Sequence, residues 1–211
     1  MSRMTAETLF SNTEKERIEA AVRAVEARTS GEIVPMVVDE SYDYPRAEIV
    51  GAGFFALATA TFVSWAVGHS SVWAFLPVFL LLYLPFKGLI RNLPGLKRRI
   101  IHPDEIAAEV EEKALVSFLE RGLHQTRDRT GILLLISLFE RRVFVLADQG
   151  INEHVAQQDW DEIVQTISEG MRSGQTADAL CSAIERCGEM LVEHFPVRAD
   201  DTDELPNLIL N

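Results

Sequence analysis

Two runs without a charged residue constrain this chain more than any other feature. Ile49 to Val67 reads IVGAGFFALATATFVSWAV, and Val72 to Phe86 reads VWAFLPVFLLLYLPF. At about 1.5 Å per helical residue the first run spans roughly 28 Å, close to the ~30 Å hydrocarbon core of a bilayer. The second reaches that length only if Lys87 snorkels and Leu89 and Ile90 are included. The expected spans are therefore 49–67 and 72–90. A buried core pair or a shallow re-entrant hairpin are the alternatives. The join is only Gly68-His69-Ser70-Ser71, small and polar, which favours a transmembrane hairpin over a core pair. Pro77 and Pro85 are tolerable in membrane helices, where they kink the axis. Trp65 and Trp73 flank the short loop and Tyr42 and Tyr44 precede the first span, placements that suit interfacial aromatic belts.

Basic residues predict the orientation. Arg46 precedes the first span, and Lys87, Arg91, Lys97, Arg98 and Arg99 follow the second, whereas the connecting loop has none. By the positive-inside rule both ends of the hairpin face the cytoplasm. The expected location is the cell (inner) membrane, multi-pass, with both termini cytoplasmic and the lipid bilayer as one partner. Met1 to Phe10 carries no apolar segment, so no signal peptide is expected.

The 211 residues suffice for one domain with a core but are marginal for two. A formal net charge of -12 argues against nucleic acid as a partner, because tracking phosphates needs a basic excess. Cys181 and Cys187 are the two cysteines. Roughly 9 Å apart along one helix axis, they are too distant for a disulfide and have no zinc spacing. Two packing thiols are expected, compatible with a reducing compartment.

Outside the hairpin the pattern alternates between helix and strand. Thr13 with Glu16 and Ser11 with Glu14 both have capping-box spacing, and Ile18, Ala21, Val22 and Val25 then form an amphipathic stripe. Thr29-Ser30-Gly31 ends that helix. Glu32 to Val38 reads as a buried strand, with Pro35 hinting at an edge or bulge position. Pro103 opens a helix whose stripe (Ile106, Val110, Ala114, Leu115, Phe118, Leu119) continues to about His124. Gly131 introduces ILLLISL, a strand of the kind buried on both faces. Phe139-Glu140-Arg141-Arg142 is a tight connection, Val143 to Ala147 the returning strand, and Asp148-Gln149-Gly150 its stop. Two helices follow, on the stripes Trp160, Ile163, Val164, Ile167, Met171 and Ala177, Leu180, Ile184, Cys187, Leu191, separated at Ser173-Gly174.

Strand, long crossover and strand form a parallel, right-handed βαβ unit, and the third strand adds antiparallel. The expected fold is α/β: a small mixed-sheet α/β/α sandwich with a two-helix transmembrane hairpin inserted in the first βαβ crossover. Residues 1–45 and 100–196 are one discontinuous soluble domain, 46–99 the hairpin with its basic flank, and 197–211 an acidic tail.

The stretches SNTEKERIEAAVRAVEARTSGEIVPMVV and TGILLLISLFERRVFVLADQGINEHVAQQDWDEIV, followed by SGQTADAL, resemble the TPM domain family, named for thylakoid, photosystem and nematode receptor-associated members. Gly131, the ERR turn and Gly150 are its most telling parts. The resemblance implies an α/β/α sandwich and one of two activities. One is a protein-interaction or assembly and quality-control module for membrane complexes; the alternative is a phosphatase-type hydrolase, with a divalent cation as its possible cofactor since some relatives bind one. The chain departs from the pattern at AETLFSN, where many relatives carry an acidic segment, and in placing its anchor internally rather than at a terminus. Both departures count against phosphatase activity and metal binding, and the interaction module with a membrane-protein partner is the favoured reading.

Ligands in open α/β sheets favour the carboxyl ends of parallel strands. There, Asp39, Glu40 and Asp43 are candidates for a ligand or a hard divalent cation, with a solvated acidic exit loop as the plain alternative. No motif names a catalytic residue, a metal site or a required cofactor: P-loop, GxSxG, HExxH and CxxC are all missing. Arg141 and Arg142 are expected at the lipid headgroups together with Lys97, Arg98 and Arg99. Asp148, Glu153, His154 and Asp159 are expected to be a helix-cap cluster, and His102, His124 and His194 to adjoin helix ends. Asp200 to Glu204 is expected to be disordered, and Leu205 to Leu210 either a docking peptide or a packed end.

Overall fold

The computed structural model describes residues 5–68, 72–197 and 205–211. The acidic run Asp200 to Glu204 and the loop residues His69 to Ser71 lie outside the described residues. The chain divides into two compact units, Met1–Ser41 with Ala108–Asn211, and Tyr42–Ala107.

The first unit is built on four strands: β1 (Glu32–Val38), β2 (Gly131–Ser137), β3 (Arg142–Ala147) and β4 (Ile209–Leu210). Their order is β3-β2-β1-β4. β1 and β2 are parallel from Glu32↔Gly131 to Val38↔Ser137, and β3 returns antiparallel from Ser137↔Arg142 to Ile132↔Ala147. Arg142 therefore belongs to the strand rather than the turn. β4, read from the sequence only as a docking peptide or packed end, adds parallel to β1.

Short α1 (Ala6–Leu9) and then α2 (Asn12–Glu26) precede the sheet. Of the two capping-box candidates the chain uses Ser11 with Glu14. Glu14 N donates to Ser11 Oγ at 3.3 Å and Ser11 N donates to Glu14 Oε2 at 2.8 Å. The Ser11 hydroxyl and then its amide hold the Glu14 carboxyl below its ordinary pKa.

Alternation along the strands sorts their side chains onto two faces. Ile33 and Val37 of β1, with Ile132, Leu134 and Ile136 of β2, pack on α2, α8 (Gln157–Ser173) and α9 (Thr176–His194). Val34, Met36, Val38, Leu133 and Leu135 face the other way, onto Val110, Ala114 and Phe118 of α6 (Pro103–Glu120). Each fully buried Leu, Ile or Val contributes on the order of 2 kcal/mol, which is why the near-continuous apolar runs become the central strands. The buried stripe of α6 is narrower than its apolar pattern. Leu115 and Leu119 are each 50% exposed, because the 110/114/118 row already covers the sheet and these two lie further round the helix.

In the second unit, α3 (Pro45–Ala66) packs on α4 (Val72–Asn92), and α5 (Pro94–Ile100) follows. Small residues Gly51, Ala52, Ala56 and Ala60 are the buried face of α3. A Cβ on Gly51 would come within 2.8 Å of Ile90 and Ile100. Phe55 stacks on Phe86 at 5.8 Å. Pro77 and Pro85 lie inside α4, which runs on to Asn92, two residues past the expected span. Two helices, Pro45–Ala66 and Phe75–Asn92, are long and apolar enough to cross a membrane. Their outer faces are apolar and bare: Trp65 is 78% exposed, Trp73 85% and Leu81 76%. Tyr42 is exposed, but Tyr44 is fully buried and sits edge-on to Tyr42 at 5.5 Å.

Candidate functional site

The carboxyl ends of the parallel pair β1 and β2 gather a polar cluster that combines residues from two distant segments. Ser137 closes β2 and is fully buried, and Glu140 in the following turn is only 4% exposed. Arg141 next to it takes a left-handed φ of 52°, which closes the four-residue turn into β3. Ser137 Oγ donates to Glu140 Oε2, and Ser41, just past β1, donates its amide to Glu140 Oε1 at 3.0 Å. Ser41 Oγ donates to Ser137 Oγ at 3.1 Å. Both carboxylate oxygens are thus occupied from within the domain. Leu138 N donating to Val38 O and Phe139 N to Asp39 O extend the β1–β2 ladder past the strands. Sequence reading passed over this group, although a Glu and two Ser residues at strand ends were visible; their convergence was not.

A hydroxyl hydrogen-bonded to a carboxylate is half of an acid–base nucleophile arrangement. Here the hydroxyl of Ser137 has no exposed surface, so no substrate carbonyl or phosphorus reaches it. The cluster fastens the β2–β3 turn to the exit of β1.

The three acidic candidates are used separately. Asp39 Oδ1 accepts from Ala6 N at 2.5 Å, its amide donates to Asn211 O and its carbonyl accepts from Phe139. Glu40 is half-buried beside it. Asp43 belongs to the other unit, where its carbonyl accepts from Lys97 Nζ at 2.5 Å. Among the described residues no three His, Cys, Asp or Glu side chains are grouped closely enough to hold a metal ion.

Lys97 is 6% exposed and pairs with Glu48 at 3.2 Å. It is committed inside its own unit rather than turned outward. Arg99, Arg141 and Arg142 are exposed, and Arg98 is half-buried.

The second acidic group resolves into local contacts. Asp148 caps the short helix α7 (Gln149–Asn152) by accepting from Gln149 N at 2.7 Å, as a helix cap should. Glu153 accepts from Gln149 Nε2, and Asp159 pairs with Arg186 at 3.4 Å. His154 stacks on His194 at 5.0 Å, with Phe195 edge-on to both. His102 Nδ1 accepts from Asp104 N at the start of α6, and His124 lies in the 3-10 turn Leu123–Gln125. Burial pushes the Cys187 thiol up to about 12 and raises the half-buried Cys181 as well; both are free.

Comparison with known families finds a match for part of this chain. Residues 98–190 match the TPM domain model. That stretch, a little under half of the chain, is similar to a TPM domain. The matched stretch begins after β1 and ends short of β4, so it holds β2 and β3 of the sheet. No curated protein matches the chain. Among solved structures, the chain is similar to the BA42 protein from the psychrophilic bacterium Bizionia argentinensis. The TM-score is 0.58 at 21% identity, over 95% of this chain and 94% of that one, which is a likeness of fold.

Proposed function

We propose that this protein is a membrane-anchored, cytoplasm-facing TPM-domain module that binds a membrane-protein partner and assists assembly or quality control of a membrane complex. One observation carries the choice of module over hydrolase. At the carboxyl ends of β1 and β2, where an α/β sheet would place catalytic groups, Asp39, Ser41, Ser137 and Glu140 are spent on hydrogen bonds within the domain. A hydrolase of this fold needs convergent, reachable carboxylates or a metal there.

Support for the anchor comes from α3 and α4. Their apolar faces are bare where a soluble core pair would bury them, and burying such faces in lipid is the favourable alternative. The basic residues flanking the two helices favour both termini in the cytoplasm of the inner membrane. Exposed Arg99, Arg141 and Arg142 suit anionic headgroups, each contributing about 1 kcal/mol.

The full-length protein purified in detergent is assayed with p-nitrophenyl phosphate, with and without magnesium or calcium. No turnover above blank is expected under either condition. Turnover that Asp39→Asn abolishes would overturn the module reading in favour of a phosphatase.

A further inference from the structure

We propose that the upper edge of β1 is a docking slot for an extended apolar peptide, with the chain's own Leu205–Asn211 as its exchangeable resident. The partner it fits is a protein segment presenting three consecutive apolar residues in extended form. The proposal deepens the interaction-module reading and rests on it.

The edge is shaped to take a short strand and nothing longer. Residues of β1 with even numbers turn their backbone toward β2, as Glu32 N and Val38 O do in bonding Thr130 O and Leu138 N. Odd-numbered residues therefore face the β4 side, as Val37 O and Asp39 N do in bonding Asn211 N and Asn211 O at 2.9 and 3.0 Å. On that side the lower half of β1 is closed to pairing. Pro35 has no N–H to offer, and Ile33 N is already donated to Glu26 Oε1 at 3.2 Å. Only the stretch from Met36 to Asp39 remains, and the resident occupies it through two paired residues, Met36↔Ile209 and Val37↔Leu210, and the two hydrogen bonds of Asn211.

Side-chain recognition is two-sided. Ile209 enters the α6-side core with Leu205 beside it, while Leu208 and Leu210 pack against the opposite core. An alternating apolar segment thus reads both faces of the sheet, as strand addition generally does. The resident segment fits imperfectly. Among the described residues, Asn207 Oδ1 has no hydrogen-bond partner although it is shielded from solvent, which weakens the hold of this segment on the slot. A ladder that ends within three residues and an unsatisfied amide make a strand that opens locally and admits a competitor.

Two measurements on the full-length protein in nanodiscs test this. In the first, amide exchange should be far faster at Asp39 and Asn211, whose amides bridge β1 and the resident segment, than at Leu134 and Ile136 in β2; equal protection would overturn exchangeability. In the second, a fluorescent peptide of sequence LPNLILN is titrated onto wild type and Ile209→Asp, which expels the resident strand. Binding to the variant should be at least roughly tenfold tighter than to wild type, because the slot is no longer self-occupied. A peptide with aspartate at the position of Ile209 should not bind. Failure of Ile209→Asp to bind LPNLILN, with its β2 amides still protected, would overturn the slot while leaving the phosphatase assay to judge the module reading separately. A wild-type dimer that Ile209→Asp abolishes would instead make the occupant a second copy of this chain and overturn the partner-peptide proposal.

Discussion

Gly131 and Gly150 are glycines because the same piece of backbone crosses both. A Cβ on Gly131 would sit 2.5 Å from Leu123 O, and one on Gly150 would sit 2.7 Å from Arg129 O and 2.8 Å from Asp128 O. Replacing a strand glycine by alanine usually gains roughly 0.5–1 kcal/mol of backbone entropy. Here the clash is with backbone that cannot swing aside, and overpacking of this kind costs about 1–3 kcal/mol. Gly131→Ala is therefore expected to lower the melting temperature of the purified protein, and an unchanged or raised value would show that the 123–129 loop yields. Burial at Cys187 has a different consequence. Its folded pKa of about 12 lies above the ordinary thiol value of 9.0, so the unfolded chain loses this proton first. The stability contributed by the neutral buried thiol is complete below pH 9 and declines as pH rises from there toward 12. At pH 8 the folded protein should resist alkylation at Cys187, measured by mass spectrometry, and react there only after denaturation.

Within the elements, the pair Lys97–Glu48 ties α5 to the first turn of α3. Glu48→Gln removes the carboxylate 3.2 Å from a lysine that is 6% exposed, and breaking a buried pair costs up to about 3–5 kcal/mol. A marked fall in thermal stability in detergent is expected, against little change for exposed Arg99→Gln; equal small effects would mean the pair is solvated. Signals at this scale were legible unevenly in the sequence. Both central strands were readable because their apolar runs are continuous and bounded, by Gly31 before Glu32 and by Gly131 itself. The Ser11–Glu14 box was readable as a spacing, though only the structure separates it from Thr13–Glu16. β4 gave almost no signal, since Ile209 and Leu210 follow an acidic run and two residues carry no period. The Ser41, Ser137 and Glu140 cluster was illegible for another reason: residues almost a hundred apart in sequence meet only when β1 and β2 pair in register. Leu115 and Leu119 misled because a helical stripe shows which residues share a side, but not how wide a strip the sheet has room to cover.

At the scale of the whole molecule, the sheet is assembled from pieces that α3 and α4 separate along the chain. β1 lies before these helices and β2 after them, yet the two pair over their full length. An insertion of this kind is tolerated because loop-closure entropy grows only slowly with length. If the inserted helices span the inner membrane as proposed, they return the chain to the side it left and both halves of the sheet domain meet in one compartment. The measurement that reaches this claim most directly is site-specific labelling of intact cells with a membrane-impermeant maleimide. Cys181 is first replaced by serine, and single cysteines are then placed at Val72, at the start of α4, or at exposed Glu169 on α8. Labelling of Val72→Cys from outside is expected, and of Glu169→Cys only after lysis. Labelling of Glu169→Cys in intact cells, or of neither position until lysis, would contradict it.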